Sequence, residues 1–481
     1  AIAAYRSFLK DYGRQDPRSG HSVAGEIEAE ARYRLGATEL TTGQPTGARR
    51  TWQDLLAWAG DFQGDRTAPL DEFTAQAEYR IAHTYGLPSP GTIPDLELGV
   101  AMAERFVGSY PDHPLAPQAE LEIAQGFTHH GRHQSAVDRL EMMIENPEYE
   151  NCKQLPIARR MMGQAYFSQQ RFDDAIESWS EFLNQYPTDP QWPAVQQKIV
   201  NAEYAKAEDA RVRKQFKVAR SVWQTFLNKY PLDSRAPAIL YYFGQMKNAE
   251  AVEKHMARIK TALDRGDSPQ SVDVNDECEK LFIEAIADWR RLVRKYPATA
   301  EASQASHMIG VILEDRLGRL TEALEAYRAV TGNREQQAQQ RISRLTSPQL
   351  EIVTERKFRS DEKARIKLTT RNLEEVTIKT YRVDMTDYFR KMHLASGIET
   401  LDIALIDPDS QLTHAVKDFR QYQRIDSDVE LPIEGVGVTA VTVSSEKLEV
   451  TTMVVVSDLD VIVKSSRNEL FVFAEDMRSG K

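Results

Sequence analysis

The chain has 481 residues, of which 28% are charged and 41% hydrophobic, and its formal net charge is −11. This negative balance argues against a nucleic-acid surface, which normally carries a basic face. No segment approaches the roughly 18 consecutive apolar residues that a membrane-spanning helix needs. The two cysteines, Cys152 and Cys278, lie too far apart in sequence for a CxxC metal or redox motif.

One helical pattern recurs from the first residues onward. Ala1, Tyr5, Phe8 and Tyr12 follow the i, i+4, i+7 spacing of one helix face. Because these residues match the second helix of the hairpins described below, we expect the chain to begin partway through a longer array. The same frame starts again at Ala48, Ala103, Ala136, Ala175, Ala219, Ala285 and Ala323.

The most complete copy runs through Ala175, Trp179 and Phe182 to Tyr186-Pro187. The small alanine lets a neighbouring helix approach, and the aromatic side chains fill the groove between hairpins. The Tyr-Pro step ends the helix, because the residue before proline is disfavoured in the helical region.

The helix before this one carries Gly163 and Tyr166 and pairs with it as a hairpin. Together these positions resemble the tetratricopeptide repeat, in the variant of bacterial envelope proteins whose second helix ends in Tyr-Pro. The resemblance implies an α-α superhelical solenoid over residues 1–345 that binds other proteins through its surface. The repeat-packing anchors predicted from it are Gly163, Tyr166, Ala175, Trp179, Phe182, Ala219, Trp223, Phe226, Ala285 and Trp289.

The long interval between the copies at Ala219 and Ala285 contains a polar, turn-rich segment, residues 264–276. We interpret it as a surface loop between two lengthened helices.

Three clusters could in principle bind a metal ion, but each has a simpler interpretation. His129, His130 and His133 fall at the turn of a helical hairpin, where a solvated turn is favoured over a metal site. Residues 272–276 lack the glycine and distal glutamate of a calcium loop. Residues 405–411 contain an Asp-Pro step that is typical of a turn. We therefore expect no metal and no cofactor.

After Pro348 the pattern changes to alternation with a period of two, which predicts strands. The alternation places one face inward and one outward, as in an antiparallel β-sandwich. We expect a short helix at 387–396 and a bulge at the glycines of 435–438. The predicted strands are 350–358, 364–372, 375–383, 427–433, 436–444, 453–459 and 469–477.

Residues 350–389 resemble the first macroglobulin-type domain of bacterial alpha-2-macroglobulin-like proteins. The likeness lies in the turn at Asp361-Glu362, in Arg371-Asn372-Leu373 before a strand ending at Tyr381-Arg382, and in a short helix with Phe389. It implies a macroglobulin- or immunoglobulin-like sandwich over residues 346–448.

Residues 450–481 resemble the segment that joins this domain to the next one in the same family. Ser457-Asp458-Leu459, Lys464 and Ser479-Gly480-Lys481 match its strand, its lysine and its closing turn. We expect 449–481 to be a linker strand and the start of a second, truncated macroglobulin-type domain. The thioester motif Cys-x-Glu-Gln is absent from this sequence.

These resemblances predict an α + β multidomain, extracytoplasmic protein of the bacterial periplasm or cell surface that is not an enzyme. The resemblance implies that the full chain traps proteases, with proteases as partners beside other proteins bound by the solenoid. The alternative is a structural assembly protein of the cell envelope that uses both modules as a scaffold. An enzyme is disfavoured because there is no phosphate loop or nucleophile elbow. The sequence leaves oligomerisation and the identity of the partner open.

Overall fold

The computed structural model describes residues 1–12, 22–63, 66–269, 272–386, 390 and 407–480. The chain divides into two compact units, Ala1–Pro231 and Leu232–Lys481. The domain borders predicted at 345 and 448 fall within the second unit and stay predictions.

The first unit is helical throughout its described residues. The helices occur as antiparallel hairpins, in which α2, α4, α6, α8 and α10 are the first helices and α3, α5, α7, α9 and α11 the second ones. Helix α1 precedes the first of these hairpins. The bounds are α1 Ile2–Tyr12, α2 Ser22–Thr41, α3 Pro45–Gly60, α4 Ala68–His83, α5 Ile93–Ser109, α6 Ala116–His129, α7 His133–Glu145, α8 Leu155–Ser168, α9 Phe172–Gln185, α10 Trp192–Val212 and α11 Phe216–Lys229.

The second unit begins with five more helices within its described residues. Its first hairpin, α12 with α13, is the lengthened pair that the sequence predicted around residues 264–276. The prediction of a helical, tetratricopeptide-type array is confirmed. The bounds are α12 Ala236–Asp264, α13 Asp276–Lys295, α14 Ala300–Asp315, α15 Leu320–Arg328 and α16 Glu335–Thr346.

Four second helices end at the tyrosine that precedes a proline. The backbone N–H of Tyr110, Tyr186, Tyr230 and Tyr296 donates to the carbonyl four residues earlier, while φ lies between −123° and −136°. The following proline disfavours the helical region at each tyrosine. The Tyr-Pro step therefore sets the length of these helices.

The strands of the second unit form antiparallel sheets, so the predicted change from helices to strands is confirmed. One sheet has the order β1-β2-β5, a second has β4-β3-β6-β7, and β8 pairs with β9 alone. The bounds are β1 Gln349–Val353, β2 Arg365–Arg371, β3 Glu375–Val383, β4 Ser410–Ala415, β5 Arg424–Glu430, β6 Gly437–Ser444, β7 Glu449–Val456, β8 Leu459–Ser465 and β9 Leu470–Asp476.

The three- and four-stranded sheets share one cluster of buried side chains. Ile366 and Leu368 from the first sheet belong to it together with Ile378, Val441 and Val443 from the second. The strand register agrees with this burial, because the buried Ile378 of β3 lies opposite the buried Val443 of β6. Alternation along each strand thus places its apolar residues in the shared core.

Several strand predictions were wrong in detail. Residues 410–415 form β4, so the turn predicted over 405–411 extends two residues too far; among its described residues, 407–409 lie outside a strand. The run predicted as a strand over 453–459 breaks after Val456, and β8 starts at Leu459. Gly435, with φ 72°, precedes β6 rather than forming a bulge inside it. The helix predicted at 387–396 lies outside the described residues except for residue 390.

Candidate protein-binding site

In four of the helical hairpins that the structure describes, an aromatic side chain of the second helix lies directly on a glycine of the first helix. A Cβ added at Gly163 would lie 2.4 Å from Nε1 of Trp179, and one at Gly244 would lie 2.4 Å from Nε1 of Trp289. Such distances are far below van der Waals contact, so only glycine fits. Gly36 with Trp52 and Gly310 with Tyr327 repeat the arrangement.

The indole N–H of the tryptophan adds a hydrogen bond to this contact. Trp179 Nε1 donates to the carbonyl of Arg160 at 3.1 Å, and Trp289 Nε1 donates to the carbonyl of Tyr241 at 3.0 Å. In both cases the acceptor lies three residues before the glycine, one turn back along the first helix. A buried indole N–H needs such a partner, so the bond fixes the register of the two helices.

The structure places the remaining predicted anchors in the helical core. Tyr166 is buried, and its hydroxyl donates to Glu141 at 2.8 Å; burial raises the pKa of Tyr166 to about 12. At the hairpin of Trp223, the buried Ala207 lies as many residues before the tryptophan as Gly163 lies before Trp179. The other buried anchors are Ala175, Phe182, Ala219, Trp223, Phe226 and Ala285.

The first helices α6, α8 and α10 are connected side by side through polar groups. Gln154, which precedes α8, donates to Gln118 of α6 at 3.3 Å. Gln125 Nε2 of α6 lies 3.9 Å from the sulfur of Met161. These side chains are half-buried, so they form a polar surface that a bound chain can reach. We call this surface the first-helix face: Gln118, Gln125, Gln154, Met161 and Gln164.

A second polar network connects α4 with α6. Tyr79 donates to Glu122 Oε1 at 2.8 Å, and His83 Nε2 lies 3.1 Å from Glu122 Oε2. Burial alone would raise the pKa of Glu122, but hydrogen bonds from His83, Gln118 and Tyr79 outweigh burial and hold it below its usual range. Sequence patterns did not indicate this network, because its members come from two hairpins.

The histidines of the candidate metal cluster lie at the turn between α6 and α7, and two of the candidate ligands, His130 and Asp409, have local hydrogen-bond partners. His129 ends α6, His133 begins α7, and His130 Nε2 lies 2.9 Å from the carbonyl of Pro90. Asp409 accepts the backbone N–H of Arg382 at 2.5 Å. Within the described parts of the chain, no three His, Cys, Asp or Glu side chains are grouped to hold a metal ion.

Both cysteines are free thiols, with Cys278 buried and Cys152 partly exposed. Across the helices that the structure describes, none has the length and apolarity needed to cross a bilayer.

Comparison with known proteins gives one family match. The model of the family described as "YfiO: Outer membrane lipoprotein" matches residues 160–327, about a third of the chain. This segment contains the Gly163–Trp179 and Gly244–Trp289 contacts. No curated protein matches this chain.

Several solved helical-repeat structures show a distant likeness. A kinesin light chain from Podosopora anserina with nearly identical TPR-like repeats is 15% identical over 42% of this chain and 97% of its own, with a TM-score of 0.28. MamA 41-end from Desulfovibrio magneticus RS-1 is 14% identical over 43% and 97%, with a TM-score of 0.26. BtubC (BKLC) from P. vanneervenii is 11% identical over 47% and 88%, with a TM-score of 0.31. At these values the likeness says nothing about what this chain binds.

Proposed function

We propose that this chain is a non-enzymatic, protein-binding component of a bacterial cell envelope. The observation that carries the proposal is the first-helix face, where half-buried amide groups of α6 and α8 lie side by side. Amide side chains both donate and accept hydrogen bonds, as the backbone of a bound peptide does. The match of residues 160–327 to an outer-membrane lipoprotein family supports the envelope location.

The β-strands extend the proposal. We infer that β1–β7 form a macroglobulin-type sandwich, because two antiparallel sheets share one core. A scaffold role in envelope assembly needs only the helical hairpins and this sandwich. Protease trapping by a longer chain stays a prediction, as does a periplasmic rather than a cell-surface location.

Cross-linking of the full chain in envelope extract, followed by mass spectrometry, tests the proposal. Exchange of Gln125 and Gln164 for glutamate should abolish capture of the specific partner, because both lie on the first-helix face and a carboxylate cannot donate the hydrogen bonds that an amide donates. As a matched control, glutamate at Gln134, which is exposed on the second helix α7, should leave capture unchanged. Capture that survives the double exchange, or is lost equally with the control, would contradict this function.

A further inference from the structure

Two half-buried cations lie on neighbouring first helices without an acidic partner. Arg160 belongs to α8 and Lys198 to α10, next to Gln164, whose Oε1 accepts a hydrogen bond from Lys198 Nζ at 2.7 Å. The Nε atom of Arg160 is buried and has no hydrogen-bond partner within the described part of the chain. Among the described residues, neither side chain forms an ion pair with a carboxylate.

Aromatic rings of the hairpin core lie beneath both charges. The guanidinium of Arg160 is 5.8 Å from the ring centre of Phe182, and the ammonium of Lys198 is 5.5 Å from that of Trp179. Phe182 and Trp179 are buried anchors of the repeat. The two cations therefore make cation–π contacts with rings that are held in place by packing. A site on such packed elements is held in place before a ligand arrives.

The electrostatics of this pair differ from those of two other half-buried cations, Arg139 and Arg341. Arg139 pairs with Glu120, and Arg341 pairs with Glu314 at 2.9 Å. At Lys198, by contrast, burial lowers the pKa of the ammonium, and the charge of Arg160 lowers it further. Both effects disfavour the charged form, and a bound anion would counter both.

We propose that Arg160 and Lys198 bind a carboxylate side chain from an acidic, extended segment of a protein partner. Arginine and lysine form charge-assisted hydrogen bonds with carboxylates, and the amides of the first-helix face lie beside them for the partner backbone. This inference rests on the proposed protein-binding function and names the chemistry of the partner. The chain as a whole has a net charge of −11, but this pair presents two positive charges that an acidic segment can recognise.

Binding of short peptides to the full chain tests the inference. The probe is hexaglutamate, acetylated and amidated at its ends, and fluorescence anisotropy measures its affinity. Wild type should bind it, with an affinity that falls as salt screens the charges. Arg160→Met and Lys198→Met should each raise the Kd at least tenfold. Lys217→Met, which removes an exposed charge from α11, is the matched control and should leave the Kd unchanged.

Three results would overturn the carboxylate site. The first is no binding of hexaglutamate by wild type, and the second is an unchanged Kd in both methionine variants. The third is equal binding of hexaglutamine that is acetylated and amidated at its ends like the probe, because this peptide carries no carboxylate. Denaturation midpoints at or above that of wild type should accompany the loss of binding, because each exchange removes a charge that lacks a counterion. A large drop in midpoint would identify a structural role instead and overturn the proposal.

The experiment also separates this inference from the proposed function. If the methionine variants still capture the envelope partner that wild type captures, the carboxylate site is wrong and protein binding stands. If wild type binds hexaglutamate through Arg160 and Lys198 but captures no envelope protein, the site stands and the proposed function is wrong.

Discussion

At the scale of single residues, the contact between glycine and tryptophan decides whether a hairpin can close. Gly163 and Trp179 belong to α8 and α9, and a Cβ added at Gly163 would fall on the indole ring itself. The indole is buried and hydrogen-bonded, so it cannot move aside without losing its acceptor. There is therefore no room for a methyl group at residue 163.

We predict that Gly163→Ala lowers the free energy of unfolding by about 1–3 kcal/mol, as overpacking of a core does. Chemical denaturation followed by circular dichroism measures it. Gly108→Ala on α5 is the control, because nothing lies within 4 Å of a Cβ there and alanine favours a helix by about 1 kcal/mol over glycine. Equal stability of the two variants would refute the steric explanation.

At the scale of elements, a carboxylate joins three helices of the second unit. Glu314 on α14 accepts hydrogen bonds from Tyr327 on α15 at 2.8 Å and from Arg341 on α16 at 2.9 Å. Arg344 of α16 also donates to it. Burial alone would raise the pKa of Glu314, but these hydrogen bonds outweigh burial and hold it below its usual range.

We predict that this junction loses stability in acid. Because the folded-state pKa of Glu314 is depressed, its contribution is present above the unfolded-state pKa and is lost as pH falls through the folded one. Glu314→Gln should lower the melting temperature at neutral pH and flatten its dependence on pH in the acidic range. Glu335→Gln, an exposed charge on α16, serves as control. An unchanged acid profile in Glu314→Gln would exclude this carboxylate as the cause.

The hairpin β8–β9 differs from the other strands in its surface. Ile462 pairs with Phe473 and Val463 with Val472, and all four are about half exposed. The edge strand β5, in contrast, alternates acidic residues that discourage pairing with another chain. Hydrogen bonds from Ser360 to Asp458, at 2.6 and 2.8 Å, hold the base of the hairpin.

We predict that these apolar strands promote self-association at high concentration, since exposed apolar edges pair readily. Phe473→Lys should reduce light scattering at a given concentration without lowering the melting temperature. Val436→Lys, at a singly exposed position before β6, is the control and should have little effect. If light scattering by Phe473→Lys equals that of wild type, the hairpin β8–β9 is not the surface through which the chain self-associates.

At the scale of the whole molecule, a substitution that destabilises one repeat of an array also destabilises the neighbouring repeats. Trp179 contributes to one core cluster with side chains of α4 to α10. Trp179→Ala should cost about 3–5 kcal/mol, as large aromatic truncations in a core do. The rate of amide hydrogen exchange should increase most in α8–α10, and the increase should become smaller with distance along the repeats.

A uniform increase in exchange across all helices, or a loss of stability below about 1 kcal/mol, would contradict this nearest-neighbour behaviour. Trp58→Ala, at a partly exposed position, is the milder comparison.

Local patterns of the sequence predicted the helical hairpins and most of the strands. Periodic apolar residues and the Tyr-Pro step act within a few residues, so Ala175, Trp179 and Phe182 already indicate a buried helix face. Strand β4 was missed because its residues are mostly polar and follow an Asp-Pro turn signal. Its pairing with β3, Ile378 opposite Leu412, is a contact between segments far apart in the chain.

The sequence by itself determined where helices end, which face of each is apolar and where strands replace helices, because these follow from neighbours along the chain. Only the tertiary structure decided which polar groups meet. Glu122 finds Tyr79 and His83 across two hairpins, and Arg160 comes to lie near Lys198 without an acid beside them. Such charge environments depend on the packing of separate helices, which no local spacing encodes.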